Sequence, residues 1–286
     1  MVHSDFNKIL IIGGSGFIGR SIRHYYHLTS PKKLVMSISK EDLDLISASS
    51  WYKLRQRIDL FNPSLIIVLA AIKRQIGDNA DILTFNNMII KNITQALINY
   101  SAPIIYFSSC AVYGEKNAQN SISEDQQLAP TSLYGEHKVY AEKYLLEHLD
   151  PSNLLILRPP LIYSMHDNNG YHPGGFLAKA MLKGEIALWG DGSEKRELIN
   201  IFDIPKVLDR LIITNSNGIT NLVSGHSYAF CDIARYISKL IGCKIDVKPR
   251  NLPKVDHTYQ PLKLISTLSD FRFMSPYNAI QTFISI

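Results

Sequence analysis

The chain has 286 residues, 46% of them hydrophobic and 19% charged, with a formal net charge of +5. That balance suits a globular protein with one large core and a smaller lobe. Its 30 lysines and arginines are scattered rather than massed, which argues against a nucleic-acid partner and fits an anionic small-molecule substrate. The longest apolar stretch, Leu65 to Ile72, is too short to span a bilayer, so no membrane partner is expected. Cys110, Cys231 and Cys243 are odd in number and irregularly spaced, as reduced thiols are. With no signal segment before Asn7-Lys8, a cytoplasmic location is expected.

In chain order, the first apolar run, Lys8–Ile12, reads as a buried strand. Gly13-Gly14-Ser15-Gly16-Phe17-Ile18-Gly19 follows it, and an amphipathic helix starts around Phe17. Strand, glycines, helix is the context of a dinucleotide fingerprint. Gly13, Gly16 and Gly19 permit a tight turn, close approach to a pyrophosphate and tight helix-on-strand packing. The N–H groups around Phe17 and Ile18 then face the phosphates at the positive end of the helix. Further strands are expected at Leu34–Ile38, Leu65–Ala70, Pro103–Ser108 and Leu154–Leu157, alternating with helical patterns. Such alternation implies a parallel sheet flanked by helices, with its chemistry beyond the carboxyl ends of the strands. The glycine loop, Ala70-Ala71, Ser109 and Arg158 all fall at those ends.

Tyr134-Gly-Glu-His-Lys138 lies in the pattern of a helix over Ser132–Leu149, with Tyr134 placed 25 residues after Ser109. Residues four apart share a helix face. The Lys138 ammonium is therefore expected to lower the Tyr134 pKa from its usual ~10 toward the working pH. Ser109 can share a substrate oxygen with the phenol, and such a trio moves a proton on or off a carbonyl or alcohol. No cysteine or histidine cluster has metal-ligand spacing, so no metal is expected. His24, His27 and His148 lie on helix surfaces, and Lys73 and Arg74 follow a strand end.

Together these motifs resemble the extended short-chain dehydrogenase/reductase superfamily, in particular its nucleotide-sugar epimerases, reductases and dehydratases. The resemblance runs from about Lys8 to about Asp203. It includes Leu69-Ala70-Ala71, Asn87, the Ser109/Tyr134/Lys138 set, Arg158-Pro159 and the Trp189–Glu197 segment. It implies an α/β fold, a Rossmann doubly wound parallel sheet with a smaller mixed α/β substrate lobe. The NAD(P)-binding domain is expected at 1–165 plus 198–223 and the substrate-binding lobe at 166–197 plus 224–286, with no flexible linker and one compact unit. By resemblance Ala70, Ala71 and Asn87 join the cofactor site, Lys138 binds the nicotinamide ribose, and Ser109 bonds the sugar C4 oxygen. Arg196 and Arg250 are candidate ligands of the substrate diphosphate; an ion pair to Glu194 or Glu197 is the plainer reading of Arg196. The helices over Leu83–Tyr100 and Ser132–Leu149 imply a homodimer.

Cofactor choice depends on the end of the second strand, where an acid favours NAD. Here Ser37, Ser39 and Lys40 stand there with no acid until Glu41, so NADP is favoured and NAD is the alternative. Asp44 stands where relatives contact the adenine, or is a turn residue. The 4,6-dehydratases carry Thr-Asp-Glu where this chain has Ser109-Cys110-Ala111, which argues against dehydration. The bifunctional GDP-fucose synthases share the Ser-Ser-Cys run and a loop like His166-Asp167-Asn168…His172-Pro173, but Phe176 stands where their epimerising histidine is expected. Cys110 and Phe176 are thus placed beside substrate without the acid–base chemistry of either group, unless His172 serves. The expected activity is C4 reduction of a nucleoside-diphosphate 4-keto-6-deoxyhexose. A C4-epimerase with tightly bound NAD, or an inactive NADP-binding sensor or scaffold, are the alternatives.

Overall fold

The protein is described by a computed structural model covering residues 6–115, 119–167, 170–251 and 253–285. The chain opens with β1 (Lys8–Ile12), α1 (Phe17–Thr29), β2 (Leu34–Ile38), α2 (Ser50–Phe61), β3 (Leu65–Val68), α3 (Ala80–Leu97) and β4 (Ile104–Phe107). A short turn at Cys110–Tyr113 leads to β5 (Gln119–Ile122), α4 (Leu133–His148), β6 (Leu154–Arg158), β7 (Leu161–Tyr163), α5 (Pro173–Lys183), β8 (Glu185–Trp189) and β9 (Lys195–Asn200). Last come α6 (Asp203–Ile213), β10 (Gly218–Asn221), β11 (Ser227–Ala229), α7 (Phe230–Ile241), β12 (Lys244–Lys248), β13 (His257–Tyr259), α8 (Leu262–Thr267) and α9 (Pro276–Ile284).

The chain divides into two compact units, where one was expected from the absence of a linker. The larger comprises the residues up to Glu115, Glu124–Arg158 and Val207–Asn221. Its six-stranded sheet has the order β10-β6-β4-β3-β1-β2, with every neighbouring pair parallel. β1, β3, β4 and β6 read as unbroken apolar runs because helices cover both faces of a parallel sheet. Strand order reverses between β1 and β3, so the chain leaves these two strands in opposite directions and opens a crevice at their carboxyl ends.

Element ends follow local chemistry. Ser132 caps α4 by accepting from the Gly135 amide at 3.1 Å. Asn79 caps α3 in the same way, so that helix begins three residues before the expected Leu83, and it ends at Leu97 ahead of the left-handed Asn99.

The smaller unit comprises 119–123, Pro159–Lys206 and the residues from Leu222 onward. It holds a three-stranded sheet, β11-β9-β7, and the parallel pairs β12-β8 and β13-β5. Residues 159–165 and 198–206, expected with the larger domain, lie here because β7 and β9 pair with each other and β11 completes their sheet. Its core gathers Tyr163, Phe176, Leu177, Ile186, Leu198, Phe230, Ile233 and Ile237.

Within the larger unit a charge sits in the core. Arg158 is 2% exposed at the end of β6, and its guanidinium meets Glu142 of α4 at 2.6 and 3.0 Å. Glu142 also accepts from the Ser108 hydroxyl, while Arg158 donates to Tyr113 Oη at 2.8 Å and Tyr113 donates to Asn221 at 2.7 Å. Removing one partner of such a pair leaves an uncompensated buried charge, and replacing both does not. Arg158→Met is expected to lower unfolding free energy by about 3–5 kcal/mol in a denaturant titration, and the double variant Arg158→Met/Glu142→Leu to recover most of the loss.

Candidate functional site

The glycine loop forms at the crevice between β1 and β3. Gly13 has φ +93°, and a Cβ there would lie 2.7 Å from the Ala70 amide nitrogen. Only glycine allows this contact, which sets the loop directly against the end of β3. A Cβ at Gly19 would lie 2.6 Å from Gly14 Cα, so α1 packs backbone to backbone on the loop. Gly16 is the N-cap of α1 and has no side chain to satisfy the first amides. Those amides, around Phe17 and Ile18, are free for an anion, and the cradle fits a dinucleotide pyrophosphate.

Ser37 lies against Gly14, where a Cβ would meet it at 2.4 Å. Ser39 corrects the expectation of a phosphate ligand. Its hydroxyl and amide both donate to Asp42 Oδ2, at 2.7 and 2.8 Å. These bonds hold the Asp42 carboxyl below its ordinary range. The sequence reading passed over Asp42, although a serine followed by an acid three residues on is a capping-type turn signal. Lys40 is exposed, and Asp44 is a turn residue, accepting from the Ile46 amide at 3.1 Å.

At the end of β3 the missed residue is Asn86, 1% exposed, which bonds the Ile72 amide at 2.7 Å and its carbonyl at 3.2 Å. It pins the segment containing Ala70 and Ala71. The signal was present in the inward face of α3, where Asn86, Ile89, Ile90 and Ile93 recur at helical spacing. Asn87 itself contacts His137 Nδ1 at 2.9 Å, tying α3 to the residue before Lys138.

The three residues expected in the smaller unit have other partners. Phe176 is 0% exposed, with ring centroids 4.8 Å from Tyr171 and 5.9 Å from Phe230. A side chain sealed in an aromatic core cannot meet substrate, which corrects its placement beside the sugar. Arg196 donates to the carbonyls of Val255 and Lys195. Arg250 pairs with Glu194 at 2.7 Å and donates to the Trp189 carbonyl at 2.7 and 3.2 Å. His172 caps α5, its Nδ1 accepting from the Gly175 amide at 3.2 Å. Asn168 and Asn169 of the polar loop lie outside the described residues.

Ser109, Tyr134 and Lys138 all belong to the larger unit. Ser109 follows β4 in extended backbone, and its Oγ accepts from the Ala111 amide at 3.2 Å. The oxygen is thereby oriented while its hydrogen stays available to a ligand. Cys110 is buried and its thiol donates to the Arg158 carbonyl at 3.2 Å, turned toward β6. Tyr134 is anchored by its amide, which donates to Asp78 at 2.8 Å. A Cβ at Gly135 would stand 2.8 Å from the Ala111 carbonyl. The first turn of α4 therefore rests on the turn that Ser109 begins.

Lys138 is 2% exposed; its Nζ donates to the Phe107 carbonyl at 2.8 Å and to Tyr106 Oη at 3.0 Å, and lies 5.6 Å from the centroid of the Tyr134 ring. Burial pulls the Lys138 pKa down to about 7 against the opposing charge of Glu142. Burial also pushes Tyr134 up to about 12, with the Glu115 charge adding and the Arg74 charge opposing. The expected fall of the tyrosine pKa is thus reversed. The ammonium spends its hydrogen bonds on Phe107 and Tyr106, and desolvation of the phenolate outweighs the opposing charge of Arg74. At neutral pH Tyr134 is a phenol with a proton to give. His137 is held down to about 3 by burial and by Lys138.

Among the described residues no group of three or more His, Cys, Asp or Glu could hold a metal ion, and no helix is long and apolar enough to cross a membrane. Between pH 7 and the ordinary lysine value of 10.5 the unfolded chain binds a proton at Lys138 that the folded protein lacks. Stability from this site therefore rises with pH across that window. The denaturation midpoint of the wild type relative to Lys138→Met is expected to climb from pH 7 to 9.5, and parallel curves would refute the assignment.

A model of the NAD dependent epimerase/dehydratase family matches residues 9–223. The chain is 22% identical over 283 residues to GDP-6-deoxy-D-talose 4-dehydrogenase of Aggregatibacter actinomycetemcomitans, covering 94% of each chain. Its fold superposes on dTDP-4-dehydrorhamnose reductase of Bacillus anthracis, solved with NADP, at a TM-score of 0.75 and 17% identity, covering 98% of this chain and 99% of that one. UDP-glucose 4-epimerase of Thermus thermophilus, solved with NAD, superposes at 0.76 and 20% identity, covering 96% of both. The glycine cradle, the Ser109/Tyr134/Lys138 set after β4 and on α4, and the match over most of the chain agree: this protein belongs to the NAD-dependent epimerase/dehydratase family of extended short-chain dehydrogenase/reductase enzymes.

Proposed function

We propose that the protein catalyses redox chemistry at C4 of a nucleotide-activated sugar, in the direction of reducing a 4-keto-6-deoxyhexose. The observation that carries this reading is Tyr134, a phenol protonated up to about pH 12 that stands over a buried lysine and beside the Ser109 turn. Bound at the glycine loop, a reduced nicotinamide supplies a hydride to C4. Tyr134 delivers its proton to the C4 oxygen, and Ser109 donates its hydroxyl hydrogen to the same oxygen. Lys138, half protonated near neutrality, stabilises the phenolate left behind and is the group proposed to meet the nicotinamide ribose.

Cofactor contacts are proposed for Gly13, Gly16, Phe17, Ile18 and Gly19, with Ala70 and Ala71 at the end of β3. Asn87 acts through His137 in this reading. Arg196 and Arg250 serve as ligands of the sugar diphosphate by exchanging their present carbonyl and Glu194 partners for phosphate oxygens. The inward-turned Cys110 thiol and the sealed Phe176 ring supply no second acid–base pair, which supports simple redox over dehydration or double epimerisation. The name of the Aggregatibacter relative, a 4-dehydrogenase, supports the same carbon.

One observation favours a second reading. Asp42 places a carboxylate on the Ser39 donors at the end of β2, which disfavours a 2′-phosphate and supports NAD. A C4-epimerase holding NAD uses the same three residues. Asp42→Asn is expected to raise NADPH affinity relative to NADH by about tenfold, the order of one charge-assisted contact, read by fluorescence titration.

Turnover of NADPH or NADH with a GDP- or dTDP-linked 4-keto-6-deoxyhexose tests the main reading. Tyr134→Phe is expected to lower kcat at least ~100-fold, the usual scale of general-acid catalysis, while dinucleotide affinity stays within about twofold. Sugar interconversion without added reductant, together with stoichiometric NAD on the purified protein, would overturn the reductase reading.

A further inference from the structure

A concavity of the larger unit, away from the glycine loop, runs along α1 and the outer strand β2. It encloses about 500 Å³ and is lined by Arg20, Arg23, His24, His27, Lys33, Pro31 and Val35. That volume lies within the range of small-molecule pockets, ~300–1,000 Å³. Its lining has three permanent cations, two imidazoles and no carboxylate.

The arrangement is built by the fold. Arg20, Arg23, His24 and His27 recur at positions i, i+3, i+4 and i+7 and share one face of α1. Tyr25 and Tyr26 fix the rotation of that helix, each donating at 2.8 Å to one oxygen of Asp209 on α6. From the other side, β2 is the outermost strand of the sheet and pairs only with β1, so the groove between helix and strand is uncovered. Lys33 enters it from the loop before β2, its ammonium 5.0 Å from the Tyr26 ring.

The cations are only partly spent: the charge of Arg23 acts on the Asp42 carboxylate, but the two form no ion pair. Among the described residues none of Arg20, Arg23, His24, His27 and Lys33 forms an ion pair, and the hydrogen bond of Arg20 is to a neutral carbonyl, that of Ser15, at 2.7 Å. Arginines of this chain elsewhere do find carboxylates, as Arg74 finds Glu115, Arg158 finds Glu142 and Arg250 finds Glu194. Arg20 and Arg23, two permanent like charges three residues apart on one helix face, repel one another and cost helix stability unless an anion lies across them.

We propose that this groove is an anion site for a linear phosphate chain, separate from the pyrophosphate cradle at the glycine loop. The row from Arg20 to His27 spans seven residue steps, about 10 Å of helix, which exceeds a single phosphate group and suits an extended oligophosphate. Arginine forks engage phosphate oxygens in pairs. Val35 and Pro31 are the apolar lining, so the groove recognises the chain of charges rather than a base. Inorganic tripolyphosphate and the triphosphate of a nucleotide are both sources of that chemistry.

The test is isothermal titration of the full-length protein with inorganic tripolyphosphate at low ionic strength, with ATP as the second arm. Saturable one-site binding is expected, with similar affinity for the two ligands and a steep loss as salt is raised toward a Debye length of ~8 Å. Arg23→Gln/His27→Gln, both exposed positions, is expected to weaken tripolyphosphate at least tenfold while NADH and NADPH titrations are unchanged. Three results would overturn the proposal: no saturable binding to the wild type, undiminished binding to the double variant (which places the anion at the glycine loop), or binding of ATP without tripolyphosphate.

Discussion

The buried charge of Arg158 organises the larger unit. A guanidinium at 2% exposure must be neutralised and hydrogen-bonded where it stands. Glu142 comes from α4 to do this, Ser108 joins from the end of β4, and Tyr113 relays the contact to Asn221 on β10. Glu142 lies one turn beyond Lys138 on the same helix, so the ion pair fixes how α4 is rotated. With that rotation set, Lys138 points its ammonium at the carbonyl ending β4, and Tyr134 stands one turn above it. The candidate proton donor is thus positioned by a buried structural pair, Glu142 two turns further along α4 and Arg158 at the end of β6.

That geometry also decides the electrostatics. A lysine four residues from a tyrosine suggests an activated phenolate. In the folded chain Lys138 is buried and Tyr134 half-buried, and desolvation is the largest influence on each, ahead of the charges of Glu142 on the lysine and of Glu115 and Arg74 on the tyrosine. The lysine comes down toward neutrality and the tyrosine goes up. A free site with a neutral phenol and a readily titrated amine is suited to giving a proton to a developing alkoxide.

At the second strand a similar reversal occurs. Ser39, which looked ready for a phosphate, is engaged by the chain's own Asp42, while positive charge gathers along α1 and β2 instead. Net charge of +5 over a scattered set of cations hid this. Local surplus depends on which carboxylates the fold brings within reach, and the groove on α1 is lined by none, with Asp42 acting on Arg23 from outside that lining.

Fold class, the glycine cradle and the Ser109/Tyr134/Lys138 set were legible in the linear chain because each rests on local rules: apolar runs of strand length, glycines ahead of a helix, and residues one helical turn apart. The larger strand bounds followed from the same periodicity, and β1 and β2 were read to the residue. Asn86 went unnoticed beside Asn87 because its value comes from facing inward onto the Ile72 backbone. Phe176 was taken for a substrate neighbour because its burial depends on Tyr171 and Phe230, the latter more than fifty positions away. The amino-acid sequence by itself determined the family and the three candidate reacting side chains. The tertiary structure alone decided their protonation, the partners of Ser39, Arg196 and Arg250, and the basic groove along α1, because burial and charge pairing are set by residues that meet only when the chain folds.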